Sequence, residues 1–469
     1  MRVCLIQLSQ GDVDITPPSD DEYPDPGLYT DKHTFKNRLV RKDRIKQDID
    51  LTATENFDLF MIISGWHEDR TLGIQTVAYL EESKIPFVGL PSRIIERCII
   101  QYCPAKTKTG LQIENLVGVD ESSPGMTGDE YACTVVELGH APVALSPVRR
   151  SQVDCLRRSS NPNLYDRICS LAKDAFHAND MHGCFWCTVL IRVTNEKPVL
   201  ISINPMPQIF LRQISTEDWA IRESFPGSHR SLINSIIASC FLSRFPTPKH
   251  FETVGQEYDE VAPKYDAVTE GVYHDNVRKI ATKYNYDGVV LDLACGTGLL
   301  ARLKGEAQGL KPGDLKNLTK FIGVDLSAQM RTECLRCGWY ERVLVGPMQS
   351  VLTTFIEAAD HIVCIGALHY LNSNELSLVL SRVFQLARCS VTFTIDEIPE
   401  SYIAAQRARG REFMHGINHV DEVNAYGIPV GWELADHWRG LGWKSPTTGD
   451  DVYIHVFRFE RLDETRVLS

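Results

Sequence analysis

The run Val289-Val290-Leu291-Asp292-Leu293-Ala294-Cys295-Gly296-Thr297-Gly298-Leu299-Leu300 joins an apolar segment, a glycine turn and a helix start. Gly296 and Gly298 permit a tight turn and let the backbone approach a ligand that a β-carbon would hold off. Asp292, ahead of the turn, suits a cationic or hydrogen-bond-donating group such as an amino acid moiety. A second apolar run, Phe321-Ile322-Gly323-Val324-Asp325-Leu326-Ser327, ends in an acid that can accept both hydroxyls of a ribose. Ser327 is placed to cap the next helix. A dinucleotide site competes, because Gly296-x-Gly298-x-x-Ala301 also satisfies that fingerprint. A pyrophosphate, however, has no use for an acid such as Asp292 beside the turn, and the motif sits in mid-chain.

His369, in Ala367-Leu368-His369-Tyr370-Leu371, follows another apolar run, where folds of this kind open toward ligand. An imidazole there could act as general base, since histidine titrates near neutrality. Its competing role is structural or substrate-positioning. His415, His419, Asp396 and Glu397 are expected to be surface or capping residues before or within a lid segment. Trp432 and Trp438, near Pro429 and Gly431, fit either an aromatic substrate wall or a packed core helix.

These residues need an alternation of strands and helices to place them. Residues 2–8 and Phe57–Ile63 are expected strands, separated by the proline-rich loop 16–27. A helix around Gln75–Ser83 leads into a strand over Ile85–Leu90, a β-α-β order that implies a parallel sheet. Tyr131–Leu145 and Cys184–Ile203 are β-rich, and 229–243 has helical periodicity. Ser243-Arg244-Phe245-Pro246-Thr247-Pro248 breaks that helix and marks a boundary between domains at 1–243 and 250–469.

The second domain resembles the class I S-adenosylmethionine-dependent methyltransferases, especially small-molecule enzymes of the ubiquinone/menaquinone-biosynthesis type, over roughly 250–460. Tyr258-Asp259-Glu260-Val261-Ala262-Pro263-Lys264-Tyr265 is similar to the helix whose tyrosines cover the cofactor, and Asp292–Gly298 to the glycine motif. Asp325 matches the ribose acid, Asp360–Leu371 the fourth strand and its substrate-side turn, and Asp451–Phe459 the final strand. The resemblance implies a Rossmann-like fold, S-adenosylmethionine as cofactor, and a small-molecule methyl acceptor. It implies a cofactor shell of Tyr258, Tyr265, Asp292, Ala294, Gly296, Gly298, Asp325, Leu326, Met348 and Gln349, with no metal. The departure is Pro347, where the family often places an aspartate on the adenine amino group. Backbone groups or Gln349 must serve instead, with Met348 against the ring.

The first domain resembles, more distantly, the D-alanine:D-alanine ligase branch of the ATP-grasp enzymes, an α/β fold. Gly65–Asp69, Gly73-Ile74-Gln75 and Ile85–Gly89 are similar to its leading portion, and Pro198–Pro207 to its metal-binding strand. The chemistry is altered: Ser202 and Leu190 stand where the family has carboxylates, and Glu96-Arg97 where it has an aspartate–lysine pair. Without two hard oxygen ligands, magnesium and triphosphate go uncompensated, so an inactive ligase fold is expected. The alternatives are a bifunctional enzyme and a cofactor-binding regulator without transfer.

Composition narrows the rest. A chain of 469 residues calls for two or three domains. Its 61 acidic against 49 basic side chains, net −12, repel nucleic acid and anionic membranes. The Arg149-Arg150 and Arg157-Arg158 pairs are too small to act as a basic arm. Met1–Ile6 is too short an apolar run for a signal peptide or span, so a cytoplasmic location is expected. The 14 cysteines, including the pairs Cys184/Cys187 and Cys334/Cys337, lack histidines at zinc spacing and are expected as reduced core thiols. Gly183-Cys184-Phe185-Trp186 is similar to the methionine sulfoxide reductase nucleophile motif but lacks its following glutamate, and is a chance match.

Overall fold

A computed structural model of the chain describes residues 1–9, 24–62, 70–102, 128–205, 207, 209–211, 215–244, 249–315, 319–355, 357–410, 416–445 and 448–462. Residues 16–23 of the proline-rich loop, Ile63, the Gly65–Asp69 string, Met206, Phe245–Pro248 and His415 lie outside these. The chain divides into two compact units, Met1–Phe241 and Leu242–Ser469. Both are α/β, as the strand and helix patterning implies.

In the first unit, β1 (Arg2–Ser9), β2 (Thr34–Arg41), β3 (Leu59–Met61) and β4 (Phe87–Val88) form a parallel sheet in the order β2-β1-β3-β4. The strand expected over Ile85–Leu90 pairs only at Phe87–Val88, because Pro86 has no N–H to give to a ladder. A second, antiparallel sheet holds β5 (Asp129–Leu138), β6 (Ala141–Ala144), β7 (Val148–Arg149), β8 (Asp154–Cys155), β9 (Trp186–Thr194) and β10 (Lys197–Asn204). Asn195 and Glu196, with φ of 50° and 60°, make the two-residue turn joining β9 to β10, a backbone that matches strand twist. A register shift in β10 between Leu200 and Ser202 then places Leu190 directly opposite Ser202.

The second unit is one seven-stranded sheet of β11 (Gly288–Leu293), β12 (Thr319–Asp325), β13 (Tyr340–Val345), β14 (Ala359–Cys364), β15 (Ala387–Glu397), β16 (Trp432–Lys444) and β17 (Asp451–Arg461). Their order is β13-β12-β11-β14-β15-β17-β16, with β17 antiparallel to both its neighbours and the first five strands parallel. The chain order reverses between β11 and β14, which opens a crevice beyond the carboxyl ends of those strands. Both faces of the central strands are covered, so their sequences are nearly continuous apolar runs. Leu291, Leu293, Ile322 and Val324 pack on one side with Leu376, Val379 and Phe384. Val290 and Phe321 pack on the other with Ile280, Leu300 and Leu303.

Trp432 and Trp438 belong to neither a helix nor a ligand wall. Exposure alternates with period two from 435 to 441, and Gly440 and Gly442 disfavour a helix, so the segment is the edge strand β16. Trp432 packs edge-on against Phe384, 5.2 Å between centroids, while the Trp438 indole N–H donates to Tyr284 Oη at 3.1 Å.

The helix Leu299–Ala307 that follows the glycine turn contains Gly305, where a β-carbon would stand 2.2 Å from Trp339 Cζ3. A glycine inside a helix costs about 1 kcal/mol against alanine. The close seat of the indole explains why it is there. Gly305→Ala is expected to lower stability by about 1–3 kcal/mol through overpacking, read as a lower Tm in calorimetry. An unchanged or higher Tm would show that Trp339 yields freely.

Candidate functional site

The residues at the end of β11 take three left-handed conformations in close succession, Ala294 (φ 59°), Gly296 (54°) and Gly298 (86°). Such a backbone must be held from outside. Asp325, the last residue of β12, holds it: Oδ2 accepts from Gly296 N at 2.8 Å and Oδ1 from Ser327 N at 2.9 Å. Burial pushes this carboxyl up to about 6, against the lowering effect of its backbone N–H donors. Ser327 caps the helix Ala328–Arg336, accepting from Met330 N at 2.9 Å, as its position in the sequence implies.

Around this turn lies a cavity with about 820 Å³ of free space, its open mouth included. Of the expected cofactor shell, Tyr258, Tyr265, Ala294, Gly296, Asp325, Leu326, Met348 and Gln349 line it. Asp292 and Gly298 do not. Asp292 is buried beneath the turn, where Tyr340 Oη donates to it at 2.5 Å. Burial pushes Asp292 up to about 7, the Tyr340 hydrogen bond opposing and the charge of Asp325 adding to the rise. Gly298 opens the Leu299–Ala307 helix, and a β-carbon there would meet Tyr340 Cε2 at 2.9 Å and Cys334 Sγ at 3.0 Å, so its missing side chain serves packing.

Past β13, Pro347 precedes the helix Met348–Thr354, which buries Gln349 completely. Gln349 Nε2 donates to Glu375 Oε1 at 3.3 Å, while Gln349 Oε1 is buried without a partner. Such an acceptor costs on the order of 1–3 kcal/mol until something donates to it. Glu375 itself is pushed up to about 7 by burial.

The cavity is roofed by the helices Lys249–Val261 and Tyr265–Val268. Asp259 Oδ1 accepts from Ser327 Oγ at 2.5 Å and Gln329 N at 3.0 Å. Asp266 takes a hydrogen bond from Thr297 Oγ1 at 2.5 Å and pairs with Arg302 at 2.8 Å. Tyr258 Oη meets Tyr370 Oη at 3.0 Å. Tyr273 also lines the cavity, hydrogen-bonded to Tyr265, and burial pushes all four phenols above the usual tyrosine range. The sequence shows no periodic signal for Tyr273, which belongs to the next helix, Val272–Lys283.

His369 sits in the turn Leu368–Tyr370 just behind the cavity wall, its ring 4.2 Å from that of Tyr370. His369 Nδ1 lies 2.5 Å from Asp396 Oδ2. Asp396, expected at the surface, is 2% exposed near the end of β15, because it is the partner of this imidazole. His419 is likewise buried, with Nε2 donating to Leu371 O at 2.8 Å, rather than exposed. Glu397 is a surface-side group: the Arg439 guanidinium, and then His455, hold it down at about 2.

In the first unit, the Leu190–Ser202 pair puts an alkyl and a hydroxyl side by side on adjacent strands, with Asn204 at the end of β10. Glu217 lies at that end, taking a hydrogen bond from Thr188 Oγ1 at 2.9 Å. Arg97 donates to Asn179 O at 2.9 Å and pairs with Asp180 at 3.4 Å. Among the described residues no group of three or more His, Cys, Asp and Glu side chains is arranged to hold a metal ion, and no helix is long and apolar enough to cross a membrane. Twelve of the described cysteines form no disulfide, and ten of these are buried.

No family model and no curated protein matches the chain. Among solved structures, magnesium protoporphyrin IX methyltransferase from Synechocystis with bound SAH is similar at 14% identity, covering 45% of this chain and 100% of that one, with a TM-score of 0.34. Mitomycin 7-O-methyltransferase is similar at 13% identity, 48% and 63% coverage and a TM-score of 0.30. D-alanine–D-alanine ligase from Bacillus anthracis complexed with ATP is similar at 15% identity, 53% and 99% coverage and a TM-score of 0.33.

The raised Asp292 carboxyl has a stability consequence. Its folded value of about 7 lies above the ~3.9 of an unfolded aspartate. Between those values the folded state binds the extra proton, so stability falls as pH rises through that window. Asp292→Asn, which keeps an acceptor for Tyr340, is expected to raise Tm at about pH 8 and to keep only a smaller part of that gain near pH 5, inside the window. A gain in Tm equal at both pH values would contradict this assignment.

Proposed function

We propose that the second unit binds S-adenosylmethionine in the tyrosine-roofed cavity and transfers its methyl group to a small-molecule acceptor. The observation that carries this reading is that Gln349, whose buried Oε1 has no partner, and Asp325 both line that cavity. An adenine amino group suits the first and ribose hydroxyls suit the second. The residues present therefore fit the cofactor, with Gln349 in the place of the family's adenine-side aspartate and Met348 against the ring. Four tyrosines line the same cavity, and aromatic faces favour a cationic sulfonium.

When bound, S-adenosylmethionine supplies an electrophilic methyl group on a positively charged sulfur. The chain's own part is to hold the acceptor in line, exclude water and manage its proton. The roof helices and the Tyr258–Tyr370 contact close the cavity against solvent. Asp396 fixes the His369 ring through Nδ1–H, which leaves Nε2 as the basic nitrogen for a proton released by the nucleophile. Asp325 is the one formally charged lining residue among those described, and neither lysine nor arginine joins it. A neutral acceptor with an aromatic or apolar body suits such walls better than a carboxylate or phosphate.

The first unit is proposed as an ATP-grasp-like domain without ligase activity. Leu190 opposite Ser202 offers no carboxylate pair to hold magnesium against phosphates. Purified protein is accordingly expected to release no phosphate from magnesium-ATP, with or without amino acids. Saturable, magnesium-dependent binding of a fluorescent ATP analogue in the micromolar range would revive the bifunctional alternative.

Calorimetric titration with S-adenosylhomocysteine tests the cofactor site. Asp325→Ala is expected to weaken binding by about 1–3 kcal/mol, since buried hydroxyls lose their acceptor; a wild-type protein that binds NAD and not this ligand ends the reading. Methyl transfer itself is sought by screening cell extract with labelled donor and weighing products for the gain of one methyl. With an acceptor in hand, His369→Ala should lower kcat by about 10²-fold or more while leaving S-adenosylhomocysteine affinity within about twofold. An unchanged kcat would remove His369 from the proton path and favour a purely positional role.

A further inference from the structure

Three thiols meet beneath the glycine turn. Cys295, inside the turn, lines the cavity, and its Sγ lies 3.9 Å from that of Cys334. Cys334 is fully buried in the helix Ala328–Arg336, and Cys337 is the half-buried residue that ends it. A β-carbon on Gly298 would be 3.0 Å from Cys334 Sγ and 3.1 Å from Cys337 Sγ, so both sulfurs occupy the space that this glycine vacates. Three residues apart on one helical turn, Cys334 and Cys337 have α-carbons about 5 Å from each other, inside the range that a disulfide spans. The Cys337 thiol donates to Cys334 O at 2.7 Å, and its sulfur faces the Cys334 thiol, the Trp339 backbone N–H and the Arg302 guanidinium. The Cys334 thiol does most to hold Cys337 down, at about 7, while burial and Asp266 oppose the lowering. A half-buried thiolate in such surroundings is a nucleophile with a neighbouring thiol in reach.

We propose that Cys334 and Cys337 form a peroxide-sensitive dithiol whose oxidation to a disulfide loosens the glycine turn and weakens ligand binding in the cavity. The effect on ligand rests on reading that cavity as the adenosyl site. In the first step the Cys337 thiolate attacks a hydroperoxide oxygen: an S–O bond forms, the O–O bond breaks, and the departing oxygen leaves with a proton as water or alcohol. Cys337 is then a sulfenic acid. Cys334 loses its proton and attacks that sulfur, the S–S bond forms, the S–O bond breaks, and hydroxide leaves as water. Two thiols are oxidised and one hydroperoxide is reduced. Drawing Cys334 Sγ to about 2 Å from Cys337 Sγ takes it off Cys295 and shifts the packing directly under Gly298. The turn that Asp325 holds thus loses support from below.

The full-length protein is treated with hydrogen peroxide and digested with trypsin, which cuts after Arg331, Arg336 and Arg342. The expected product is peptide 332–336 joined to peptide 337–342 and lighter by two hydrogens, reversed by dithiothreitol. Amide hydrogen exchange over 294–303 should quicken on oxidation, and S-adenosylhomocysteine affinity should fall by roughly tenfold, a coupling of ordinary size. C337S should bind like the reduced wild type and be indifferent to peroxide. Absence of the joined peptides, unchanged exchange in the disulfide form, or a peroxide-sensitive C337S each overturn the proposal. If the reduced protein does not bind S-adenosylhomocysteine, the cofactor reading falls, and hydrogen exchange over 294–303 still decides the thiol proposal by itself.

Discussion

The second unit depends on one carboxylate. Asp325 joins the turn after β11 to the turn after β12, because one oxygen accepts from Gly296 N and the other from Ser327 N. Each strand could end without the other, but neither turn would keep its shape. Ala294 is strained in the left-handed region that Gly296 and Gly298 take freely, and strain of this kind persists where surrounding contacts over-determine it. Burial of the same acid raises its proton affinity, so the group that builds the loop is also the one most sensitive to what enters beside it. The same residue thus fixes the turn and lines the cavity.

The first unit shows the reverse situation, facing strand positions that carry no charge. A register shift in β10 between Leu200 and Ser202 places two side chains opposite each other across the strands. Leucine and serine fill those places, since strand pairing is a backbone property and tolerates either residue. Fold and chemistry part company at the side chain.

Much of the site was legible because its requirements are local. A turn with positive φ needs glycine or a rare exception, and an acid at a strand end needs only its place in the run, so the turn at Gly296, the strand-end place of Asp325 and the Ser327 cap could be read from spacing. What escaped depends on pairing across distance. Asp396 lies 27 residues from His369 in the chain, and only parallel pairing of β14 with β15 brings the ends of those strands together. Asp292 was assigned by its position ahead of the turn, yet the phenol that takes up its carboxylate, Tyr340, comes from β13 and lies beyond any local pattern. Trp432 and Trp438 were ambiguous for a different reason: the alternation that identifies β16 is carried by charged and glycine residues, which hydrophobic periodicity does not register.

The roof over the cavity is fastened by side chains rather than by a continuous core. Asp259 and Asp266 each bind groups at the rim, and two phenols meet across the opening. Local opening of the roof requires those contacts to break together, so its frequency follows the free energy that they jointly contribute. The Asp266–Arg302 pair is about one third exposed on each side, which leaves it open to screening by dissolved ions. Ionic strength therefore acts on the opening of the roof through a pair that lies outside the cavity lining.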